Sequence, residues 1–181
     1  MTIERVPSPH FPQVGFERRC MAFAIDFLGA WLVSSTLGSN NTGIQILQIL
    51  VFIIVWLILR VIIPYNNHGQ SLGRWAFDIQ VLEAGAKRIP DLPSLLKREA
   101  IVGLGALMIS IAINNIIRNP TAILLVLPLA IECSAALSDT QMRQTMHDRY
   151  GKTMIVSSQR GYSLDIKFKR LVETFRRNVR Q

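Results

Sequence analysis

IQILQILVFIIVWLILRVII, running from Ile44 to Ile63, is 20 residues long and carries one charge, Arg60. A helix rises 1.5 Å per residue, so about 20 apolar residues cross the ~30 Å hydrocarbon core of a bilayer. A core helix of a soluble protein shows a polar stripe every turn. From Ile49 to Leu59 this stretch has no polar face, and it reads as a transmembrane helix. Three further blocks repeat the pattern. Cys20 to Leu37 contains only Asp26 as a charge, Ala100 to Ile117 contains none, and Thr121 to Ser138 contains only Glu132.

The rest of the chain agrees. Of its 181 residues 50% are hydrophobic and 18% charged, against about 25% charged in a soluble domain. Disorder, collagen, coiled coil and a disulfide scaffold are excluded by that composition. Cys20 and Cys133 fall inside predicted spans, without the spacing of a metal site or a secreted disulfide framework. The first block is too long for a signal-peptide core and holds an aspartate, so it is read as a retained helix. The expected fold class is all-α: a polytopic membrane protein with a four-transmembrane-helix bundle, a cytoplasmic loop and an amphipathic basic C-terminal tail. The helices are placed at about 20–37, 44–63, 100–117 and 121–138, after an N-terminal segment 1–14, within a membrane domain 15–156 and before a tail 157–181.

Orientation follows from the 20 Lys and Arg residues. Three precede the first block, five lie between Pro64 and Glu99, and ten follow from Asp139 onward; the connections Gly38–Gly43 and Arg118–Pro120 hold none and one. Positive charge stays cytoplasmic, so both termini and the central loop are expected there, in a bacterial-type inner membrane or another energised membrane. Arg60 is expected to snorkel to the same side. The formal charge of +8 follows from this asymmetry and needs no nucleic-acid partner. In the tail, Leu164, Phe168, Leu171, Val172, Phe175 and Val179 recur at helical spacing, with Lys167, Lys169, Arg170, Arg176 and Arg177 over much of the remainder. That is the pattern of a helix on anionic lipid headgroups, each surface cation adding ~1 kcal/mol. A helix docked on a partner, a nucleic-acid-binding tail, or a strand through Leu164, Ile166 and Phe168 are the competing readings.

Ionisable groups inside a bilayer are expensive and mark function by default. Asp26 lies seven residues past Arg19 and Glu132 six residues before Ser138, which places both at ~9–10 Å from the same side. Small residues accompany each, such as Ala22 and Gly29 on the first helix and Ala135 and Ala136 on the fourth, and such faces let helices approach closely. One reading is an ion or proton site formed by Asp26 and Glu132, with Asn114 of the third helix nearby. The other is structural: Asp26 ion-paired to Arg19 or Arg60, and Glu132 neutral or hydrogen-bonded to Asn114 or Ser110.

Three motifs flank the spans: Gly15-Phe-Glu-Arg-Arg19-Cys-Met-Ala22-Phe-Ala-Ile-Asp26, Gly69-Gln-Ser-Leu-Gly73-Arg74 and Arg143-Gln-Thr145-Met-His147-Asp148, with a weaker Lys97-Arg98-Glu99 at the start of the third block. In these the chain resembles the RDD family of small membrane proteins, named for one arginine and two aspartates, over residues 15 to about 156. By this match Arg19, Asp26 and Asp148 are the name-giving residues. Arg74 stands where a lysine is usual, and Lys152 where a small residue is usual. The resemblance implies transport, with cation/proton exchange assigned to some members. It also suggests an ion pair between Arg19 and Asp148 at the membrane rim, where an exposed pair contributes only ~0–1 kcal/mol.

Other chemistry is not supported. Gly151-Lys152-Thr153 resembles the end of a phosphate loop, but the earlier glycine position is Met146. His10, His68 and His147 share no metal-ligand spacing. No nucleophile is placed by spacing, so no enzyme activity, metal or cofactor is expected. Two functions remain. The first is an ion or small-solute transporter, enclosing its pathway as a homo-oligomer and using the intramembrane carboxylates. The second is a non-catalytic accessory or assembly subunit of a larger membrane complex.

Overall fold

The computed structural model describes residues 14–37, 46–86, 88–138, 144–158, 160, 163–164 and 166–167, with backbone alone at 135–138. Helix α1 spans Phe16–Ser35. Helix α2 runs from Ile46 to Asn66, opening into a π turn over Ile58–Ile62. A short helix α3, Leu72–Ala76, leads into strand β1, Ile79–Glu83. Helix α4 covers Leu92–Asn115. A 3-10 stretch, Pro120–Val126, continues into α5, Leu127–Ser138. Helix α6, Met146–Tyr150, and strand β2, Thr153–Ser157, complete the described elements.

At 21 residues α2 is about 32 Å long. Among the described residues it is the one helix long and apolar enough to cross a membrane by length and composition. The expected third span begins earlier, at Leu92, so that Lys97, Arg98 and Glu99 are helical rather than a loop edge. Pro93 sits in the first turn of α4, where its missing N–H costs nothing. The expected fourth span starts as 3-10 helix. Asn119 caps it by accepting from the Thr121 N–H at 3.2 Å. Pro128 lacks the N–H that would continue α-type bonding back into that turn.

Helix α1 packs on α2 and on α3, and the 3-10 stretch packs on α4. The main core lies between the long helices. Phe27, Ala30, Phe52, Trp56, Val102, Ala106 and Leu129 form it, with Phe27 and Phe52 edge-to-face at 6.2 Å and Phe52 stacked on Trp56 at 5.8 Å. Outward, Leu28, Leu32, Leu47, Leu50, Ile54, Leu104, Leu124 and Ile131 are exposed. A water-soluble protein rarely exposes so continuous an apolar surface.

The all-α expectation is corrected by a two-stranded antiparallel sheet, with Ile79 opposite Ser157 and Glu83 opposite Thr153. The sequence of β1 shows loose alternation. β2 is five residues without strict alternation, and both faces of it are partly covered, so period-2 reading has nothing to detect. The sheet ties the segment after α2 to the segment after α6 at one end of the helices.

Candidate functional site

The site begins where α2 ends. The chain reverses through His68 (φ 48°) and Gly69 (φ 78°). At Gly69 a Cβ would meet the Val81 carbonyl oxygen at 2.2 Å, so only glycine fits the turn. Gln70 Nε2 donates to the Ile79 carbonyl at 3.1 Å, and Val81 N donates to the Gly69 carbonyl at 3.0 Å. The turn is thereby stitched to β1. Ser71 caps α3, accepting from Arg74 N at 3.3 Å, and its hydroxyl donates to Asp26 Oδ2 at 2.6 Å. Gly73 N donates to Asp26 Oδ1 at 2.8 Å. The α3 turn therefore lies directly on the small-residue face of α1.

From Asp26 a chain of alternating buried charges runs across the molecule. Arg60 Nη1 donates to Asp26 Oδ2 and Arg60 Nε to Glu99 Oε2, each at 2.9 Å. Glu99 Oε1 also accepts from Arg74 Nη2 at 2.6 Å and Arg98 Nη1 at 2.7 Å. Arg98 Nε donates to Asp148 Oδ1 at 2.9 Å. Arg19 Nη1 stands 3.7 Å from Asp148 Oδ2, and Arg19 Nη2 donates to the Ile155 carbonyl at 3.4 Å. Beside Asp148, His147 Nδ1 lies 2.5 Å from Glu132 Oε1, which also accepts from the His147 backbone N–H at 2.7 Å. His147 Nε2 lies 3.4 Å from Arg98 Nη2. The imidazole thus bridges Glu132 and Arg98, with one ring nitrogen facing each.

Arg19, Asp26, Arg74, Arg98, Glu99, His147 and Asp148 of the charge chain all come from the short motifs around residues 15–26, 69–74, 97–99 and 143–148. The model of the RDD family matches residues 14–152. The chain belongs to the RDD family. No curated protein and no solved structure matches it. Every member of the charge chain, from Arg19 to Asp148, falls inside the matched region, and this RDD-family protein is a membrane protein.

Several expectations need correction in this RDD protein. Arg60 does not snorkel. It is 4% exposed, held inward by Asp26 and Glu99, with its guanidinium 5.2 Å from the Trp56 ring and 5.9 Å from that of Phe23. The π turn around it supplies the local unwinding that re-aims the side chain. Arg19 and Asp148 stand together, but not at an exposed rim: their side chains are 8% and 0% exposed. The surface-pair energy does not apply, and removing one partner of such a buried pair costs about 3–5 kcal/mol. Asp26 and Glu132 share no partner; they are opposite ends of the chain. Glu132 bonds to His147, not to Asn114 or Ser110. Asn114 is exposed, and its Oδ1 accepts from Trp31 Nε1 at 3.3 Å. Of the tail cations, Lys167 is exposed and its N–H bonds to the Ser163 carbonyl at 3.2 Å. Lys169, Arg170, Arg176 and Arg177 lie outside the described residues.

Glu99 carries more of the site than the sequence indicates, where it is the last residue of the weaker Lys97-Arg98-Glu99 match at the start of the third block. Thr145 and Asp148 carry a signal that was available: T-x-x-D, a capping box in which Thr145 Oγ1 accepts from Asp148 N and Asp148 Oδ2 from Thr145 N, each at 3.3 Å. Among the described residues no three His, Cys, Asp or Glu side chains lie close enough to hold a metal ion. Asp26, Glu99, Glu132 and Asp148 each accept from at least one protein donor, so a cation entering at Asp26 has to displace Arg60.

Two groups outside the apolar blocks show the field of the cluster. Burial raises the Asp148 carboxyl, but Arg98 first, then His147 and Arg19, overcome this and pull it down to about 2. Burial and then the repulsion of Arg60 lower the Arg74 guanidinium to about 9, against a smaller opposing pull from Glu99. Because the Asp148 carboxyl is more acidic folded than unfolded, its stabilisation is complete above pH ~5 and is lost progressively as pH falls below ~4 and through 2. The contribution is about 2–3 kcal/mol. Thermal unfolding of the detergent-solubilised protein at pH 6, 4 and 2.5 is expected to show the loss. Asp148→Asn should start less stable and fall less over the same interval; equal slopes for the two proteins would contradict the assignment.

Proposed function

We propose that this RDD-family protein crosses the membrane four times, with both termini cytoplasmic, and works as a homo-oligomeric proton-coupled ion exchanger of an energised membrane. The four-span reading draws on the outward apolar residues of α1, α2, α4 and of the 3-10 stretch with α5, and the orientation on the distribution of Lys and Arg. The observation that carries the transport reading is the imidazole–carboxylate pair His147–Glu132 at the end of an unbroken buried charge chain that leads to Asp26. An imidazole in contact with a carboxylate can take up a proton and pass it on. Protonating His147 would place a second cation against Arg98 and weaken the bonds that hold Arg98 to Glu99 and Asp148. A proton at one end thereby bears on Arg60 and Asp26 at the other. In this reading Glu132 and His147 bind the proton, and Asp26 holds Arg60 and α3 in place.

The test is a fluorescent pH-gradient assay in proteoliposomes, with Na+ or K+ added to dissipate an imposed gradient. Wild-type protein is expected to dissipate it, and Glu132→Gln and His147→Gln to slow this by at least about tenfold. Arg88→Gln, which removes an exposed ion pair to Glu83, is expected to match wild type. Wild-type rates in both Glu132→Gln and His147→Gln would end the proposal. The accessory-subunit reading draws on a different observation: Asp26 and Glu99 are already saturated by guanidiniums and N–H donors, as in a structural lock. Absence of flux from wild-type protein that co-purifies with other subunits would favour it.

A further inference from the structure

A cavity of about 380 Å³ opens beside the charge chain, between α1, α4, the 3-10 stretch and α5. The volume is in the range of small-molecule sites, ~300–1,000 Å³. Its walls differ from end to end. Arg74 and Arg98 line one end, and Phe23, Ile109, Leu129 and Ala130 are among the apolar residues that line the rest. Arg98 and Ile109 lie on the same helix, and the run of about eleven residues between them is about 16 Å long. That is close to half of the ~30 Å hydrocarbon core, the depth of one leaflet.

Arg19, Arg60, Arg74 and Arg98 converge at the polar end with the carboxylates Asp26, Glu99 and Asp148. Arg74 is 1% exposed, its Nη2 bonds Glu99, and its Nη1 is buried without a hydrogen-bond partner among the described residues. A guanidinium presents its donors as a planar fork that suits a phosphate oxygen.

We infer that the cavity holds one anionic phospholipid of the leaflet on the arginine side, its phosphate on Arg74 and one acyl chain along Phe23, Ile109 and Leu129. The cavity's open side leaves the second chain in the bilayer. The two observations are independent, a buried guanidinium nitrogen left without a hydrogen-bond partner and a leaflet-deep apolar slot, and each asks for one half of the same amphiphile. The inference stands whether or not the protein moves ions.

Native mass spectrometry of the full chain in a mild non-ionic detergent tests it, with phosphatidylglycerol, phosphatidylcholine of the same acyl chains, and oleate each added in turn. Wild-type protein is expected to retain one phosphatidylglycerol at least about tenfold more than phosphatidylcholine. Arg74→Gln is expected to lose that preference. Ala130→Phe fills the slot from an exposed wall position without touching a charge, and is expected to lower phosphatidylglycerol retention while the protein remains folded. Should Arg74→Gln fail to fold, Ala130→Phe still decides. Equal retention of the two phospholipids, preference for oleate, or unchanged retention in Ala130→Phe would overturn the assignment.

Discussion

Glu99→Gln is expected to leave little folded protein. The carboxylate is 0% exposed and accepts from Arg60 at 2.9 Å, Arg74 at 2.6 Å and Arg98 at 2.7 Å. Glutamine has nearly the same shape, but it carries no charge and turns one acceptor oxygen into an amide donor. At least one guanidinium would then face N–H groups, and three buried cations would lose a shared counterion. Breaking a single buried pair costs about 3–5 kcal/mol, against a total stability of about 5–15 kcal/mol for a domain. The check is the yield of monodisperse protein in mild detergent, with the apparent melting temperature of what is recovered. Glu99→Asp keeps the charge on a shorter arm and should recover part of the loss. Wild-type yield and melting from Glu99→Gln would mean that the three arginines do not depend on this carboxylate.

Gly73→Ala is expected to be nearly as severe, for a steric reason. A Cβ at this position would stand 2.0 Å from the Ala22 carbonyl oxygen and 3.1 Å from Asp26 Cγ. The nearest obstacle is backbone of α1, which cannot rotate away, so α3 must lift. Lifting it breaks the 2.8 Å bond from Gly73 N to Asp26 and the 2.6 Å bond from Ser71, leaving Arg60 as the single donor to a buried carboxylate. A loss of about 4 kcal/mol or more is the expected size for such a change. Leu72→Ala is the matched control: its side chain is exposed, and its effect should stay within about 0.5 kcal/mol in a purely structural assay. Equal yields for Gly73→Ala and Leu72→Ala would show that α3 does not rest on α1.

The legible parts of this protein are those that composition and local spacing carry. The apolar run of α2 needs no tertiary information, and the motif Gly69 to Arg74 could be recognised as a motif. What its residues do could not. Ser71 and Gly73 act on Asp26 across a hydrogen-bonded contact whose partners lie more than forty residues apart in sequence, beyond any periodicity. Arg60 shows the limit most plainly. On an isolated helix the favourable course for its guanidinium is to reach water; the inward course exists only because Glu99 and Asp26 are delivered by two other helices. Glu132 stands out in the sequence by its depth, but its partner His147 lies 15 residues on, past the end of α5, where helical spacing carries no information. Asp148 came from family resemblance, while its burial follows from a cap and a sheet that only the assembled structure brings together.

The pairing of β1 with β2 carries a consequence for the order in which the molecule is made. Arg98 has Glu99 beside it as soon as α4 is synthesised, but Asp148 arrives 50 residues later, and the Ile155 carbonyl that receives Arg19 arrives 136 residues after Arg19 itself. Until β2 pairs with β1, the nascent chain holds cationic side chains whose permanent counterions do not yet exist. Long-range closure of this kind is the slow step of folding. During biogenesis the arginine end is therefore the last region to become tight, and a ribosome-bound or truncated product that stops before Asp148 presents unneutralised arginines to the cell's membrane quality control.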